Sequence, residues 1–404
     1  MARPYTKPRP GTDDAVVVDG YSEQWLRQGF CWVYPKEVTR RPKRLKPGMS
    51  VAIRARSGQP LGAGIWDEGW IAVRRFREEM GPIDAALIGE YLDKARALRD
   101  ALIDPATTAY RLANAENDGL PGIRVDIYGH FAAITLDSPS LRGLAEVVAD
   151  WLSDRLSPRG IFLAWRPDPR ETRAGDLADQ LLRGHAPTSP VRVTERGVAC
   201  LVDPGAGKDI GLFTDMRDNR AWLEPHWGGA RVLNLFAHTG MFSVCAALHG
   251  ATEVVSVDLS EAFLDRAEAN FAANDLDPGD HTFLPEDVRR VLDRLRRQGE
   301  RFGRVVLDPP SFSHGPAGPW SAKKDYARMV AACVRVLEPG GWLIAALNLG
   351  EVSPKDFHTS CRQGARKAGR QLQLLYDGGQ AADHPALASF PEGRYLKFAV
   401  YRAL

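Results

Sequence analysis

The 404-residue chain lacks the features that would place it in a membrane or a secretory pathway. No apolar run approaches the roughly 20 residues that a membrane-spanning helix needs, and the opening stretch MARPYTKPRPGTDD has no apolar core. The five cysteines are scattered, odd in number and free of CxxC pairs. Together these absences predict a reduced, cytoplasmic protein with no membrane partner and no metal site.

The composition is that of an ordinary globular protein, with 44% hydrophobic and 26% charged residues, and its length predicts two or three domains. The formal net charge of +2 indicates no partner by itself. The distribution of charge is more informative, because residues 36–56 form a basic cluster around the single acid Glu37. The members of this cluster are Lys36, Arg40, Arg41, Lys43, Arg44, Lys46, Arg54 and Arg56.

Residues 21–80 have the pattern of a small β-barrel or sandwich, with short apolar segments (CWVYP, MSVAIRA, GAGIW and WIAVRRF) separated by glycine and proline. Residues 1–20 are expected to be loosely ordered. Aromatic rings interleave with the basic cluster, which suits RNA because cations meet phosphates and rings stack on bases. The alternative is that the rings form a barrel core and the charges a solvated face. The rings belong to Trp25, Phe30, Trp32, Tyr34, Trp66 and Trp70.

Residues 81–195 predict a central α+β domain. The periodicity of apolar residues predicts helices over Ile83–Asp100 and Leu144–Leu152. Turn signals such as Asn-Asp-Gly and Pro-Gly separate the short runs between and after these helices. Strands are predicted over Tyr110–Asn114, Ile123–Ile127, Phe131–Leu136 and Ile161–Trp165, and a hairpin over Val191–Val202.

The stretch Arg231–Asp258, RVLNLFAHTGMFSVCAALHGATEVVSVD, organises the rest of the chain. A short apolar run leads into a tight turn at Gly240, an apolar helix follows, and a second run ends on Asp258. Asp258 follows Gly240 by 18 residues and is placed to accept hydrogen bonds from a ribose. The phosphate-binding GxGxxG is missing, so the unit favours S-adenosylmethionine (SAM), which has a ribose but no pyrophosphate.

Two further acids follow the next predicted strands. Asp287 comes after His281–Leu284, where a carboxylate and a backbone N–H can read an adenine. Asp308 ends the strand Arg304–Leu307 and opens the loop Asp308-Pro309-Pro310-Ser311-Phe312, which prolines stiffen because they cannot donate to a ladder. Asp308 is expected to hold a base for in-line methyl attack, and Phe312 to stack on it.

The remaining pattern completes a methyltransferase sheet. Helices are predicted over Glu261–Asn274 and Asp325–Val336, a turn at residues 339–341, a strand over Trp342–Leu347, and an antiparallel pair over Leu372–Leu375 and Tyr395–Tyr401. Upstream of the organising stretch, Asp215, Arg217 and Asn219 lie close together in sequence. They predict either contacts to the methionine end of SAM or an ordinary capped helix start.

At this point the sequence resembles a known family, the bacterial large-subunit (23S) ribosomal RNA methyltransferases that join a PUA domain, a central α+β domain and a class I SAM-dependent domain. The motifs that carry the resemblance are WLRQGFCWVYP, YRLANAENDGLPGIRVDIYG, IGLFTDMRDNR, VLNLFAHTG, VVSVD, PEDV, LDPPSF and AADHPALASFPEGRYLK. The resemblance implies a PUA-like β-barrel over residues 1–80, a central α+β domain over 81–195, and a Rossmann-like, seven-stranded α/β methyltransferase domain over 196–404.

The resemblance also implies a site. The expected cofactor-binding residues are Thr214, Asp215, Arg217, Asn234, Phe236, His238, Thr239, Gly240, Asp258, Leu259, Asp287, Val288 and Asp308. The expected catalytic residues are Asp308, Pro309, Pro310, Phe312 and Asn348. SAM is the implied cofactor, ribosomal RNA or a ribosomal particle the implied partner, and a homodimer is left open.

Members of this family that methylate cytosine at C5 need a cysteine thiolate to attack C6, and they carry it just after the strand that here reads WLIAALNLG. Asn348 lies in that region, with no cysteine nearby. Cys245, Cys333 and Cys361 fall in predicted helices, and Cys31 and Cys200 are expected outside the catalytic core. Members that methylate guanine at N7 need no nucleophile, because N7 has a lone pair.

The sequence therefore favours guanine N7, with adenine N6 and guanine N2 open. Three alternatives remain. A displaced cysteine would give cytosine C5 methylation, and loss of catalysis would leave an RNA-binding assembly factor, although Asp258, Asp287 and Asp308 are all present. A small-molecule methyltransferase or an oxidoreductase is disfavoured by the basic, aromatic first domain and by the missing glycine fingerprint.

Overall fold

A computed structural model describes residues 15–165, 180–206, 210–316 and 318–404, so residues 1–14 of the stretch that was expected to be loosely ordered lie outside the described residues. The chain forms two compact units. Unit 1 takes its described residues from Met1–Val193, Val202–Ile210 and Asp383–Gly393, and unit 2 from Thr194–Leu201, Gly211–Ala382 and Arg394–Leu404. The domain boundaries predicted at residues 80 and 195 stay predictions.

The first half of unit 1 is a mainly antiparallel sheet with strand order β2–β6–β5–β4–β1–β3, in which β1 and β4 run parallel. The four apolar segments predicted as strands are β2, β4, β5 and β6, whereas the helix α1 was not foreseen. The expectation of loose order is wrong for residues 15–20, because β1 is buried within the sheet and Asp19 caps α1. The elements are β1 (Ala15–Val18), α1 (Gly20–Arg27), β2 (Trp32–Val33), β3 (Val38–Arg40), β4 (Ser50–Arg54), β5 (Pro60–Trp66) and β6 (Val73–Arg77).

The aromatic rings of this half divide between core and surface. Phe30 and Trp66 are buried, which confirms the core interpretation for these two. Trp25 keeps 40% of its surface exposed, and Trp32 is half-buried and donates its indole N–H to Glu116 at 2.9 Å. The basic cluster lies on the surface, apart from half-buried Arg54.

The second half of unit 1 is a sheet of strand order β11–β10–β9–β8–β7 with two helices packed against it. The predicted helices and strands of residues 81–165 are confirmed to within a few residues. The helix α2 begins where the Asp84 side chain accepts the N–H of Leu87 at 3.1 Å. The elements are α2 (Ala85–Leu102), β7 (Ala109–Asn114), β8 (Ile123–Tyr128), β9 (Phe131–Leu136), α3 (Arg142–Leu156), β10 (Gly160–Trp165) and β11 (Gln180–Gly184).

The predicted hairpin over Val191–Val202 is confirmed as β12 (Val191–Glu195) and β13 (Val198–Val202), with Arg196 and Gly197 at positive φ in the turn. Unit 2 then alternates helices and strands, as the sequence predicts. Its elements are α4 (Arg217–Leu223), β14 (Arg231–Leu235), α5 (Met241–Leu248), β15 (Glu253–Asp258), α6 (Glu261–Ala272), β16 (Thr282–Pro285), α7 (Val288–Gln298), β17 (Phe302–Leu307), β18 (Phe312–Gly315), β19 (Gly318–Ser321), α8 (Ala322–Arg335), β20 (Leu337–Asn348), α9 (Pro354–Lys367), β21 (Leu372–Gly378) and β22 (Leu396–Ala403).

The large sheet of unit 2 has the order β16–β15–β14–β17–β20–β22–β21, which confirms the predicted seven strands within the described residues. The first five are parallel, and β22 pairs antiparallel with both β20 and β21. The turn predicted at residues 339–341 is instead an irregularity inside β20, where the register against β17 shifts. None of the helices in the described part of the chain has the length and apolar character that a membrane crossing requires.

Successive side chains along the strands point to opposite faces of this sheet and pack into two hydrophobic cores, one on each face. Leu233 and Val255 pack with α7, α8 and α9 on one face. Val232 and Val254 pack with α4 and α5 on the other, where α6 lies against α5. Both faces are covered, as a parallel sheet requires, so the carboxyl ends of the strands are left as the place for a ligand.

Candidate active site

A cavity of about 400 Å³ lies at the carboxyl ends of the parallel strands of unit 2. Each strand contributes residues at or just beyond its end. Because parallel strands end at one edge of a sheet, side chains from successive strands meet there although they are 21 to 40 residues apart in sequence. The strand-end residues that line the cavity are Phe236, Asp258, Leu259, Asp287, Asp308 and Asn348. The volume lies within the range of about 300–1,000 Å³ that small-molecule sites occupy.

The turn after β14 is held in a left-handed conformation, with φ of 59° at Phe236, 51° at His238 and 76° at Gly240. Such values are rare outside glycine and cluster at functional sites. Two features exclude a side chain at Gly240. Its φ is positive, and a Cβ would lie 2.7 Å from the Cβ of Ala267. Gly240 itself is not among the cavity-lining residues, so its contribution is to shape the turn.

Asp258 anchors this turn. Its carboxylate accepts the backbone N–H of His238 at 2.9 Å and that of Ser260 at 3.0 Å. Each carboxylate oxygen accepts one of these two hydrogen bonds and has the capacity to accept another, and Asp258 lines the cavity. The ribose of SAM carries two adjacent hydroxyls, so this fixed acceptor pair fits the cofactor that the sequence predicts.

Asp287 caps a helix and forms an ion pair, two contacts that the sequence does not predict. Its carboxylate accepts the backbone N–H of Arg289 at 2.9 Å, which caps α7, and pairs with the Arg289 guanidinium at 2.9 Å. Asp287, Val288 and Arg289 all line the cavity. The adenine contact predicted for Asp287 therefore has to coexist with an ion pair.

Of the three residues predicted at the methionine end of SAM, the structure places one in the cavity lining and two outside it. Asp215 lines the cavity, and its carboxylate accepts the hydroxyl of Tyr395 at 2.9 Å. Thr214 and Arg217 are buried but are not among the cavity-lining residues. The Arg217 guanidinium lies 3.5 Å from the Asp218 carboxylate, and α4 begins at Arg217 without a side-chain cap, so the alternative of a capped helix start is not confirmed.

Asp308 differs from the other acids of the cavity. It is partly buried, and its carboxylate accepts no hydrogen bond from the residues that the structure describes. Burial, together with the nearby charge of Asp215, raises the pKa of Asp308 to about 7. A carboxyl group with a perturbed pKa and no internal partner, placed in a cavity, is available to a ligand.

The loop after Asp308 forms the mouth of the cavity. Pro309 and Pro310 line it, and the Trp320 indole N–H donates to the Pro310 carbonyl at 2.8 Å. The Ser311 hydroxyl donates to the Asn348 carbonyl at 2.9 Å, which ties the loop to the end of β20. The Asn348 side-chain amide has no partner among the described residues and borders the cavity.

Phe312 is not where the sequence predicts it. It begins the hairpin of β18 and β19, is 71% exposed and does not line the cavity. The reason is local, since the strand after the two prolines turns the ring outward. Trp320, on the second strand of this hairpin, lines the cavity instead, with its ring centroid 6.3 Å from that of Phe236.

Several lining residues were missed by sequence reasoning. The His238 ring lies between two of them, with ring centroids at 4.9 Å from Phe213 and 4.4 Å from Phe263. A third, Arg220, is held by a buried ion pair with Glu195 at 2.6 Å. The residues in these contacts are distant from one another in sequence, so no local sequence pattern predicts them. Asn234 and Thr239, which were predicted, also line the cavity.

All five cysteines are free and buried, and none is a lining residue of the cavity. Burial raises the pKa of each thiol, so the reactive thiolate is disfavoured. One expectation is corrected, because Cys200 belongs to unit 2, with its Sγ 3.8 Å from the carbonyl oxygen of Gly211, a cavity-lining residue. Within the described residues no cluster of three His, Cys, Asp or Glu side chains could hold a metal.

The parallel sheet with its antiparallel pair, the cavity over the strand ends and the acid at the tip of β15 define a class I SAM-dependent methyltransferase. The profile of the S-adenosylmethionine-dependent methyltransferase family matches residues 169–374, and that of the PUA-like domain matches residues 16–77. A SAM-dependent methyltransferase candidate from Streptococcus mutans has the same fold, with a TM-score of 0.85 at 22% identity over 96% of this chain and 100% of that chain.

Relatives of known name match almost the whole chain. Ribosomal RNA large subunit methyltransferase I of Aeromonas salmonicida is 34% identical and covers 96% of this chain and 98% of its own length. The protein of the same name from Shewanella amazonensis is 34% identical over 94% of this chain and 97% of its own. The chain therefore belongs to this family of PUA-containing, SAM-dependent methyltransferases, and its cofactor is SAM.

Proposed function

We propose that this protein methylates a base of large-subunit ribosomal RNA, and that the acceptor atom is N7 of a guanine. The observation that carries the proposal is the mouth of the cavity, where Asp308, Pro309, Pro310 and Asn348 converge without a cysteine among the lining residues. The relatives named as ribosomal RNA large subunit methyltransferases support the substrate class. The exposed basic cluster in the PUA-like domain is consistent with RNA.

The choice of acceptor atom follows from nucleophilicity. C5 of cytosine takes a methyl group after a thiolate has added to C6, and the five thiols here are buried with raised pKa values. N7 of guanine has its own lone pair and needs positioning and exclusion of water. Asn348 occupies the end of β20 and offers a neutral amide, which orients a base but cannot add to it.

The cavity residues divide into two groups of proposed roles. Asp258 and Leu259 hold the ribose, Asp287 with Val288 contacts the adenine, and Asp215 lies at the methionine end. When bound, SAM supplies an electrophilic methyl group on a sulfonium. Asp308 and Asn348 orient the flipped base against this methyl group, and the Asp308 carboxylate stabilises the positive charge that forms on the guanine ring.

The test is methyl transfer from labelled SAM to ribosomal RNA that lacks this protein's modification, followed by nucleoside analysis by mass spectrometry. Naked RNA and the large ribosomal subunit are compared as substrates. A 7-methylguanosine product supports the proposal. A 5-methylcytidine product overturns it and directs attention to the five cysteines, while label on another nucleoside or on none overturns the guanine assignment.

A further inference from the structure

The two helical layers of unit 2 differ sharply in charge. The helices α7, α8 and α9, which cover one face of the sheet, carry thirteen Lys and Arg against three Asp. The helices α4, α5 and α6 on the other face carry three Arg against four acids, and none of these three Arg side chains is exposed. We name the layer of α7, α8 and α9 the basic layer.

The charges of the basic layer point to solvent. Eleven of its thirteen basic side chains are exposed, and the exceptions are Arg289 and Arg294. Four have an ion-pair partner, namely Arg289, Arg294, Lys323 and Arg328. The other nine have no ion-pair partner within the described part of the chain: Arg290, Arg296, Arg297, Lys324, Arg335, Lys355, Arg362, Arg366 and Lys367.

This arrangement works against the stability of the helices. Like charges four residues apart destabilise a helix by roughly 0.2–0.5 kcal/mol per pair. Three such pairs occur, Arg290 with Arg294, Lys324 with Arg328, and Arg362 with Arg366. Solubility alone is served by an even mixture of signs, so a face with thirteen basic residues against three acids indicates an anionic partner.

The position of the basic layer relates it to the cavity. In this fold each helix begins beside the carboxyl ends of the strands, and α7 begins at Val288 and Arg289, which line the cavity. The residues just before α8 and α9 include Trp320 and Asn348, which also line it. The longer helices extend from that edge by about 20 Å at 1.5 Å per residue. The basic layer therefore runs from the mouth of the cavity down one side of unit 2.

We propose that the basic layer binds the phosphate backbone of the RNA that flanks the target nucleotide. The inference rests on the proposed function, since the RNA is the substrate of that site, but it assigns a second contact surface on the catalytic unit. A row of unpaired cations along about 20 Å matches a run of several phosphates. Backbone contacts carry no sequence information and fix the register in which a base enters the cavity.

The test neutralises the end of the basic layer that is farthest from the cavity. The variant Arg296→Gln, Arg297→Gln, Arg366→Gln and Lys367→Gln removes four exposed charges from the last turns of α7 and α9. The matched control is Arg296→Lys, Arg297→Lys and Arg366→Lys, which keeps every charge. The affinity of the full chain for a large-subunit ribosomal RNA transcript is measured at several salt concentrations without methyl transfer, together with the affinity for SAM.

The neutral variant should bind the transcript about tenfold or more weakly near 0.1 M salt, and its salt slope should fall by about 0.7–0.9 for each phosphate that the variant no longer neutralises. The lysine control should bind like the wild type, and both variants should keep the affinity for SAM. Unchanged RNA affinity and slope would overturn the inference. Binding to phosphatidylglycerol vesicles in place of RNA would also overturn it.

Failure of the proposed function gives a different signature. In that case the nucleoside analysis shows no 7-methylguanosine, whereas the loss of RNA binding on neutralisation is still observed. If the neutral variant is poorly folded, its affinity for SAM falls as well, and the lysine control with single Gln variants at Arg297 and Arg366 then decides the question.

Discussion

Two carboxylates of the cavity, those of Asp258 and Asp308, have opposite surroundings. At the ribose end, Asp258 accepts two backbone N–H groups and is fixed by the turn that it holds. At the mouth, Asp308 has no hydrogen-bond partner among the described residues, and its pKa is raised to about 7. We propose that this difference separates binding from reaction, because Asp258 is held in place by its two donors to bind the cofactor, and Asp308 has no donor among the described residues and is left for the acceptor base.

The largest effect is expected at the mouth. Asp308→Ala should lower kcat by about 10³-fold, because it removes the group that we propose to orient the base and stabilise the developing charge. The affinity for SAM, measured by calorimetry, should change by less than about threefold, because we place the ribose contact at Asp258 and not at Asp308. Turnover within tenfold of the wild type would show that the base is held elsewhere.

The ribose end should respond in the opposite way. Asp258→Ala should weaken SAM binding by about 10–100-fold, since charge-assisted hydrogen bonds contribute roughly 1.5–3 kcal/mol. At saturating SAM, turnover should recover to near the wild-type value. Thermal unfolding serves as the control, because the turn after β14 also depends on this carboxylate. If saturation does not restore turnover, the two ends are not separable.

The dependence of the rate on pH tests the charge of Asp308. If the carboxylate form is required, the rate should rise with pH and level off above about 7, the pKa of this group. Below that value the rate should fall about tenfold per pH unit. The matched variant is Asp215→Asn, which removes the nearby charge that helps to raise the pKa, so its rising limb should move to lower pH. An identical limb in both proteins would contradict the assignment.

The same pKa predicts a change in stability. The carboxyl group ionises near pH 3.9 in the unfolded chain and near pH 7 in the folded protein. The free energy of unfolding therefore decreases as the pH rises between these values. Asp308→Asn should therefore be more stable than the wild type at pH 8, by about 1–3 kcal/mol, and equal to it near pH 3. Urea denaturation at the two pH values measures this. Equal stability at pH 8 would mean that the cavity solvates the carboxylate.

The smallest effect is expected from the cysteines. Single Cys→Ala variants should keep kcat within about twofold at a temperature where they are folded, because the thiols are buried and lie outside the cavity lining. Each variant should lose some stability through the small gap it leaves. Loss of methyl transfer in one folded variant, with 5-methylcytidine as the wild-type product, would show that the mouth uses a thiolate after all.

Much of the catalytic unit could be read from local patterns. The organising stretch predicted β14, α5 and β15 almost to the residue, because a buried parallel strand is a continuous apolar run and its end is marked by a turn residue. The acids Asp258, Asp287 and Asp308 were found since strand ends converge in this fold. The wrong predictions lie where a local pattern is compatible with two structures. Residues 339–341 could form a turn or an irregularity within a strand, and the Phe312 ring could face the cavity or the solvent.

The sequence by itself determined the seven strands of the large sheet in chain order, the cofactor class and the absence of a cysteine beside Asn348, because each depends on neighbours along the chain. The tertiary structure decided which side chains face the cavity, that Phe312 points away and Trp320 inward, and that Asp308 lacks a partner among the described residues. It also gathered the charges of α7, α8 and α9 on one face. Burial, pKa and charge density depend on atoms that are distant in sequence, and folding alone brings them together.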